Sequence, residues 1–316
     1  MSQMFGTSTP ASQGKAAAAG SARAEAIGEA CVPTIGEGLR EELIVEPKAG
    51  ASVRGGVGEP LHVTRAQARA LKIGFCPLIA RKTSEYVTKL RGKRFFGQGL
   101  IGADRESVRE GFAKLAADGF DRYNFPQVWV ERRQIPRVLH KRVPARNAVV
   151  LDLGCGPGTS TEVLTYFAHS SWTILGFDLT RAYIDSANAR ADQGLFRSRT
   201  GERIMPRFVC QNIAHELTMD GTPHGPKLAT GYADLAIASG VVGLYLTHRE
   251  AGRLIANLAR VVKVGGTIAL DAGPSVSARA MERLAARANL ELVGTAGSVP
   301  LDPRPKLLFK HKLSQG

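Results

Sequence analysis

The sequence has 316 residues, 44% hydrophobic and 22% charged; this ordinary globular usage excludes collagen, coiled coil and wholesale disorder, and the length allows about two domains. No run approaches the roughly 18 apolar residues of a membrane span, and the cysteines at 31, 76, 155 and 210 form no C-x-x-C pair and are too few for a disulfide framework. The formal net charge of +14 is uneven: residues 61–146 hold 19 Lys/Arg against 7 Asp/Glu, residues 1–60 hold 5 against 7, and the remainder 18 against 14.

Residues 1–60 are rich in Gly, Ala, Ser and Pro and show no lasting apolar period, so they are expected to be a disordered tail. No basic start followed by an apolar core marks a secretory leader, and a reduced, cytoplasmic setting is the expectation. Order is expected from Thr64, whose spacing to Gln67 suits a capping box. A helix is expected within Pro77–Leu90. Another follows Asp104, with Val108, Phe112 and Leu115 on one face. The densest aromatic stretch, 120–129, then leads into 131–140, a helix expected to be interrupted at Pro136. The segment 61–146 is thus expected to be a basic helical cap. Its charge suits an anionic partner, nucleic acid included, or a solvated face.

From Ala148 short apolar runs alternate with helical stretches, the pattern of a parallel sheet covered on both faces. The runs are Ala148–Leu153, Thr173–Asp178, Arg207–Gln211, Ala233–Ser239, Thr267–Asp271, Leu290–Gly294 and Lys306–His311. Thr247 and Glu250 form a second capping box, ahead of a helix with Leu254, Leu258 and Val261 on its buried face. Gly265 and Gly266 are expected to turn the chain back into the fifth strand. The fold class is therefore α/β, a doubly wound, seven-stranded, mostly parallel sheet over residues 147–316, with the last strand antiparallel.

The strongest motif runs from Val149 to Thr159. A buried strand enters Gly154-x-Gly156-x-Gly158 and then a helix near Ser160. Glycines suit a turn where a Cβ would block a ligand lying across the strand ends. Asp152 ends that strand, within reach of a cationic ligand group. A dinucleotide site wants a third glycine where Thr159 stands, which disfavours a dehydrogenase. The Gly-Lys-Ser/Thr ending of a phosphate loop is absent.

These residues resemble the first motif of the class I methyltransferases that use S-adenosylmethionine, an acid followed by G-x-G-x-G. The resemblance spans about Phe125 to Lys312 and implies that cofactor, held at Asp152, Gly154, Cys155, Gly156 and Gly158. Asp178, with Leu179 after it, matches the family's acid at the end of strand two, which binds the ribose hydroxyls; a carboxylate can accept from both. Asn212 stands where the family often has Asp for the adenine amino group, and Ile213 where an apolar side chain presses on the ring. Ser239 ends the fourth strand, which in the family lies beneath the sulfonium.

No Asp/Asn-Pro-Pro-Tyr/Phe and no Pro-Cys nucleophile follows, so Cys155 and Cys210 are small fillers, and no residue is nominated as a base; His248 is expected to be solvated. No metal-ligand motif appears. Tyr123, Phe125 and Trp129 are candidates for an aromatic wall at the methionine end, and Tyr245 for the acceptor pocket. The expected activity is methyl transfer to a small molecule. The alternatives are an RNA or protein methyltransferase using the basic cap, or a cofactor-binding partner protein without activity.

Overall fold

The computed structural model describes residues 59–64, 67, 105–115, 120, 131–296 and 306–312. The tail through residue 58, the helix expected within Pro77–Leu90 and the aromatic candidates Tyr123, Phe125 and Trp129 lie outside the described residues. The capping box at Thr64 is present: its N–H donates to Gln67 Oε1 at 2.7 Å, and its Oγ1 accepts from Gln67 N–H at 3.1 Å. Ordered pairing starts earlier than expected, because main-chain bonds join Glu59 and Leu61 to Ala145, Val143 and Lys141. Leu61 and Val63 pack on the core under the sheet.

Helix α1 is Arg105–Ala113, and α2 covers 131–139. The helix does not break at Pro136. That residue sits inside it, and the Pro136 carbonyl accepts from His140 N–H at 3.1 Å; a proline forfeits one donor, and Ile135, Val138 and Leu139, all fully buried, hold the turn in place.

The sheet strands are β1 (Val149–Leu153), β2 (Thr173–Asp178), β3 (Arg207–Cys210), β4 (Ala233–Ala238), β5 (Val262–Asp271), β6 (Leu290–Ala296) and β7 (Lys306–His311). Their order is β3-β2-β1-β4-β5-β7-β6, with β7 antiparallel to both neighbours. Connecting helices are α3 (Thr159–Phe167), α4 (Arg181–Asp192), the short α5 (Val242–Tyr245), α6 (His248–Val261) and α7 (Ala278–Arg287). Strands β1, β2 and β4 and the second half of β5 are buried on both faces, so their sequences are continuous apolar runs. Leu151, Leu153 and Phe177 belong to the core under α6 and α7, and Val150, Ile174 and Leu235 to the one under α2 and α3.

One turn differs from expectation. Helix α6 runs directly into β5 at Val262, and Gly265 and Gly266 lie within the strand. The register with β4 slips between Ala233 and Leu235, and Gly265 has φ +87°, so the glycines form a bulge instead of the turn itself.

Candidate functional site

Strand β1 lies between β2 and β4, where connections leave in opposite directions and a crevice opens at the carboxyl ends. A cavity of about 850 Å³, open solvent at its mouth included, occupies that place. Its floor comes from the segments leaving four strands: Gly154 and Cys155, Asp178 and Leu179, Asn212 and Ile213, and Ser239 with Gly240. Seven of the expected cofactor residues, together with Tyr245, thus converge on one space. Asp152, Gly156 and Gly158 are not on its wall; they lie behind it.

The glycine turn has left-handed backbone at all three glycines, with φ +73°, +55° and +90°, which other residues adopt only at a cost. The missing side chains leave room for protein, which differs from the expected ligand approach. A Cβ at Gly154 would stand 2.2 Å from Val241, one at Gly156 3.0 Å from the Phe120 ring, and one at Gly158 2.8 Å from Phe196. Arg190 of α4 pins the turn from outside, donating to the Pro157 carbonyl at 2.7 Å and to Glu162 at 2.8 Å.

Asp178 orders the mouth of the turn. One carboxyl oxygen accepts from Gly156 N–H at 3.0 Å, the other from Thr180 N–H at 2.8 Å. Burial raises its carboxyl above the ordinary value, and those N–H bonds oppose the rise. Each oxygen keeps a lone pair for a hydroxyl donor. Asn212 is less available than expected: its Oδ1 accepts from Ala214 N–H at 3.0 Å and closes a turn that brings the buried Ile213 to the cavity wall.

Asp152 is 1% exposed. Its Oδ2 accepts from Ser160 and Thr161 hydroxyls at 2.8 and 2.6 Å, while Oδ1 has no hydrogen-bond partner among the described residues. Burial pushes the carboxyl up to about 6, against the pull of those hydroxyls and of Lys306. Burial also drives the Cys155 thiol well above its ordinary value, with Asp178 and Asp152 adding to the rise. A thiol held protonated is a poor nucleophile, in line with its reading as a filler.

The roof is aromatic. Phe112 of α1 meets Tyr245 edge-on at 5.3 Å, Phe120 lies 4.8 Å from Tyr183, and the Tyr183 hydroxyl donates to the Phe112 carbonyl at 2.8 Å. Val108, Arg109 and the buried Glu131 complete that side. Sequence reasoning named Phe112 only as a helix face and did not single out Phe120, Tyr183, Arg109 or Glu131 for the site. Phe120 opens the aromatic stretch and was thus within its reach. Tyr183 sits on the buried face of α4, where nothing distinguishes a roof residue from core. His248 is exposed at the start of α6 and off the cavity.

The loop after β4 is fixed by Asp271 at the end of β5. Its carboxylate accepts N–H bonds from Val241, Val242 and Gly243 at 3.2, 3.3 and 3.0 Å.

Residues 150–266 match the family model described as a methyltransferase domain. No curated protein matches the sequence. Among solved structures, a TehB-like S-adenosylmethionine-dependent methyltransferase from Corynebacterium glutamicum is 20% identical, covering 73% of this chain and 98% of its own, with a TM-score of 0.41. An arsenic(III) S-adenosylmethionine methyltransferase from Chlamydomonas reinhardtii is 17% identical, with coverages of 55% and 66% and a TM-score of 0.41. An O-methyltransferase of neocarzinostatin biosynthesis, solved with S-adenosylmethionine and 2-hydroxy-5-methyl naphthoic acid, is 16% identical, with coverages of 74% and 70% and a TM-score of 0.49.

Proposed function

We propose, from the match of residues 150–266 to a methyltransferase-domain family model, that the chain is a class I S-adenosylmethionine-dependent methyltransferase that transfers a methyl group to a small-molecule acceptor. The observation that carries the reading is the convergence of Gly154, Asp178, Ile213 and Ser239 on one roofed cavity at the ends of β1 to β4. S-adenosylmethionine supplies, when bound, a methyl group on a positively charged sulfur, open to direct displacement by a nucleophile.

The residues fit that group. Asp178 is placed to accept the ribose hydroxyls, with Leu179 beside it, and Ile213 to cover the adenine, with Asn212 at its edge. Asp152, behind the cavity wall, favours the methionine ammonium through its charge: its Oδ1 is a buried acceptor without a hydrogen-bond partner among the described residues, and a desolvated carboxylate gains most from a cation. Gly156 and Gly158 hold the turn that shapes this end. Ser239 and Gly240 bound the space nearest the transferred methyl. Phe112, Phe120 and Tyr183 exclude water above it, and their π faces suit a sulfonium. Alignment supplies much of the rate in such a displacement, so the rigid β4 loop and its Asp271 clamp serve the chemistry without touching it.

The small acceptor is favoured because Phe112 of α1 and Phe120 roof the cavity. We assign 61–146 as the cap segment, whose described residues Val108, Phe112 and Phe120 stand on the roof side, and 147–316 as the cofactor domain. The test offers the full chain radiolabelled cofactor with a panel of phenols, amines and thiols, and in parallel with total RNA and with protein. Label in the small-molecule fraction is expected. Label in RNA, lost on charge reversal at Arg132 and Arg133, would overturn the small acceptor in favour of a polyanion.

A further inference from the structure

Lys306 opens β7 and is fully buried, at 0% exposure, although lysine is almost never buried without partners. In the sheet it stands opposite Asp271 of β5. Its side chain passes the end of β5 to reach β4, where the ammonium donates to the Ala238 carbonyl and, at 2.6 Å, to Ser239 Oγ. Ser239 is on the cavity floor, so this cation lies directly beneath the site. Asp152, next to last in β1, pairs with Ile237 of β4, one residue before Ala238, and Lys306 acts on its charge. A methionine or leucine there would fill the space. It would not answer either the strand-end carbonyl or the buried carboxylate.

We propose that Lys306 is a positioning residue for the cofactor's methionine end: it ties down the β4 terminus through Ala238 and Ser239 and supplies the counter-charge for Asp152. The inference rests on the methyltransferase reading and names what holds the anionic end of that site. The groups that face Asp152 divide clearly. Lys306 from β7 and the Ser160 and Thr161 hydroxyls from α3 favour the carboxylate, while burial and Asp178 from β2 favour the acid. With Lys306 present the carboxyl titrates at about 6 and is ionised at neutral pH. Without it the midpoint rises, and less of the carboxylate is ionised to face the ammonium of the cofactor.

Two probes separate this from a packing role. S-adenosylhomocysteine carries the methionine ammonium; 5′-methylthioadenosine keeps the adenosine and lacks that end. Asp178 and Ile213 see both ligands alike, so the ratio of their affinities isolates the Asp152 end. Calorimetry on the full chain between pH 5 and 8 is expected to show, in the wild type, a ratio favouring S-adenosylhomocysteine that falls as pH drops through about 6. In Lys306→Met the midpoint should rise by about one pH unit, so that the ratio at pH 5 falls about tenfold, with 5′-methylthioadenosine affinity held within about twofold. An equal loss for both ligands would make Lys306 structural and overturn the proposal, as would an unchanged ratio. A ratio flat with pH in the wild type overturns it with no variant at all. A wild type that binds neither nucleoside fails differently, since it overturns the cofactor reading on which the proposal stands.

Discussion

Replacing Asp152 by Asn removes a titration and leaves the shape. The carboxyl has an ordinary value of 3.8 and stands at about 6 in the folded chain, raised by burial. The native state therefore holds the proton more tightly than the unfolded one between those values. Its stabilising contribution is complete below pH 3.8 and is lost as pH rises through 6. About two pKa units at about 1.4 kcal/mol each make the whole effect about 3 kcal/mol, of which about 1.4 kcal/mol falls between pH 5 and 8. Asn titrates nowhere, and other groups cancel in the difference between the two proteins. Urea denaturation of wild type and Asp152→Asn at pH 5, 6, 7 and 8 is the assay. The variant should gain about 1.4 kcal/mol on the wild type from the lowest to the highest pH. A flat difference, or one of opposite sign, would mean that Lys306 and the two hydroxyls outweigh burial, and the reasoning would fail.

Gly156→Val forces a β-branched residue into φ +55° with its Cβ 3.0 Å from the Phe120 ring; S-adenosylhomocysteine binding should be abolished, and calorimetry showing wild-type affinity would refute it. Asp178→Ala strands the Gly156 and Thr180 N–H groups and the ribose hydroxyls, so affinity should drop by about 1–3 kcal/mol; no change in the same titration would remove Asp178 from the site. Deleting residues 1–55 should leave the melting temperature and cofactor affinity nearly unchanged, because the deletion keeps the pairing of Glu59 and Leu61 with Lys141, Val143 and Ala145; a large thermal shift in differential scanning fluorimetry would contradict that.

The seven strands were legible because doubly buried strands advertise themselves as short apolar runs. Both capping boxes were legible too, since Thr64–Gln67 and Thr247–Glu250 satisfy their donors locally. So were the strand-end residues of the site: topology alone carries Gly154, Asp178, Ile213 and Ser239 to one edge. What sequence could not give is tertiary. Pro136 keeps its helix because three buried neighbours outweigh one lost donor. The glycines make room for Val241, Phe120 and Phe196, and these contacts reach across up to 87 residues of chain. Lys306 carries no local sign of burial, because its partners arrive from β1 and β4, far away in sequence. The roof shows the same limit: Tyr183 has the periodicity of core, and only the arrival of α1 makes it a lid.

The most direct test of the account is calorimetric titration of the full-length wild type with S-adenosylmethionine and, separately, with NAD. The account predicts saturable one-site binding of S-adenosylmethionine, competed by S-adenosylhomocysteine, and no binding of NAD. Binding of NAD with none of S-adenosylmethionine would contradict it.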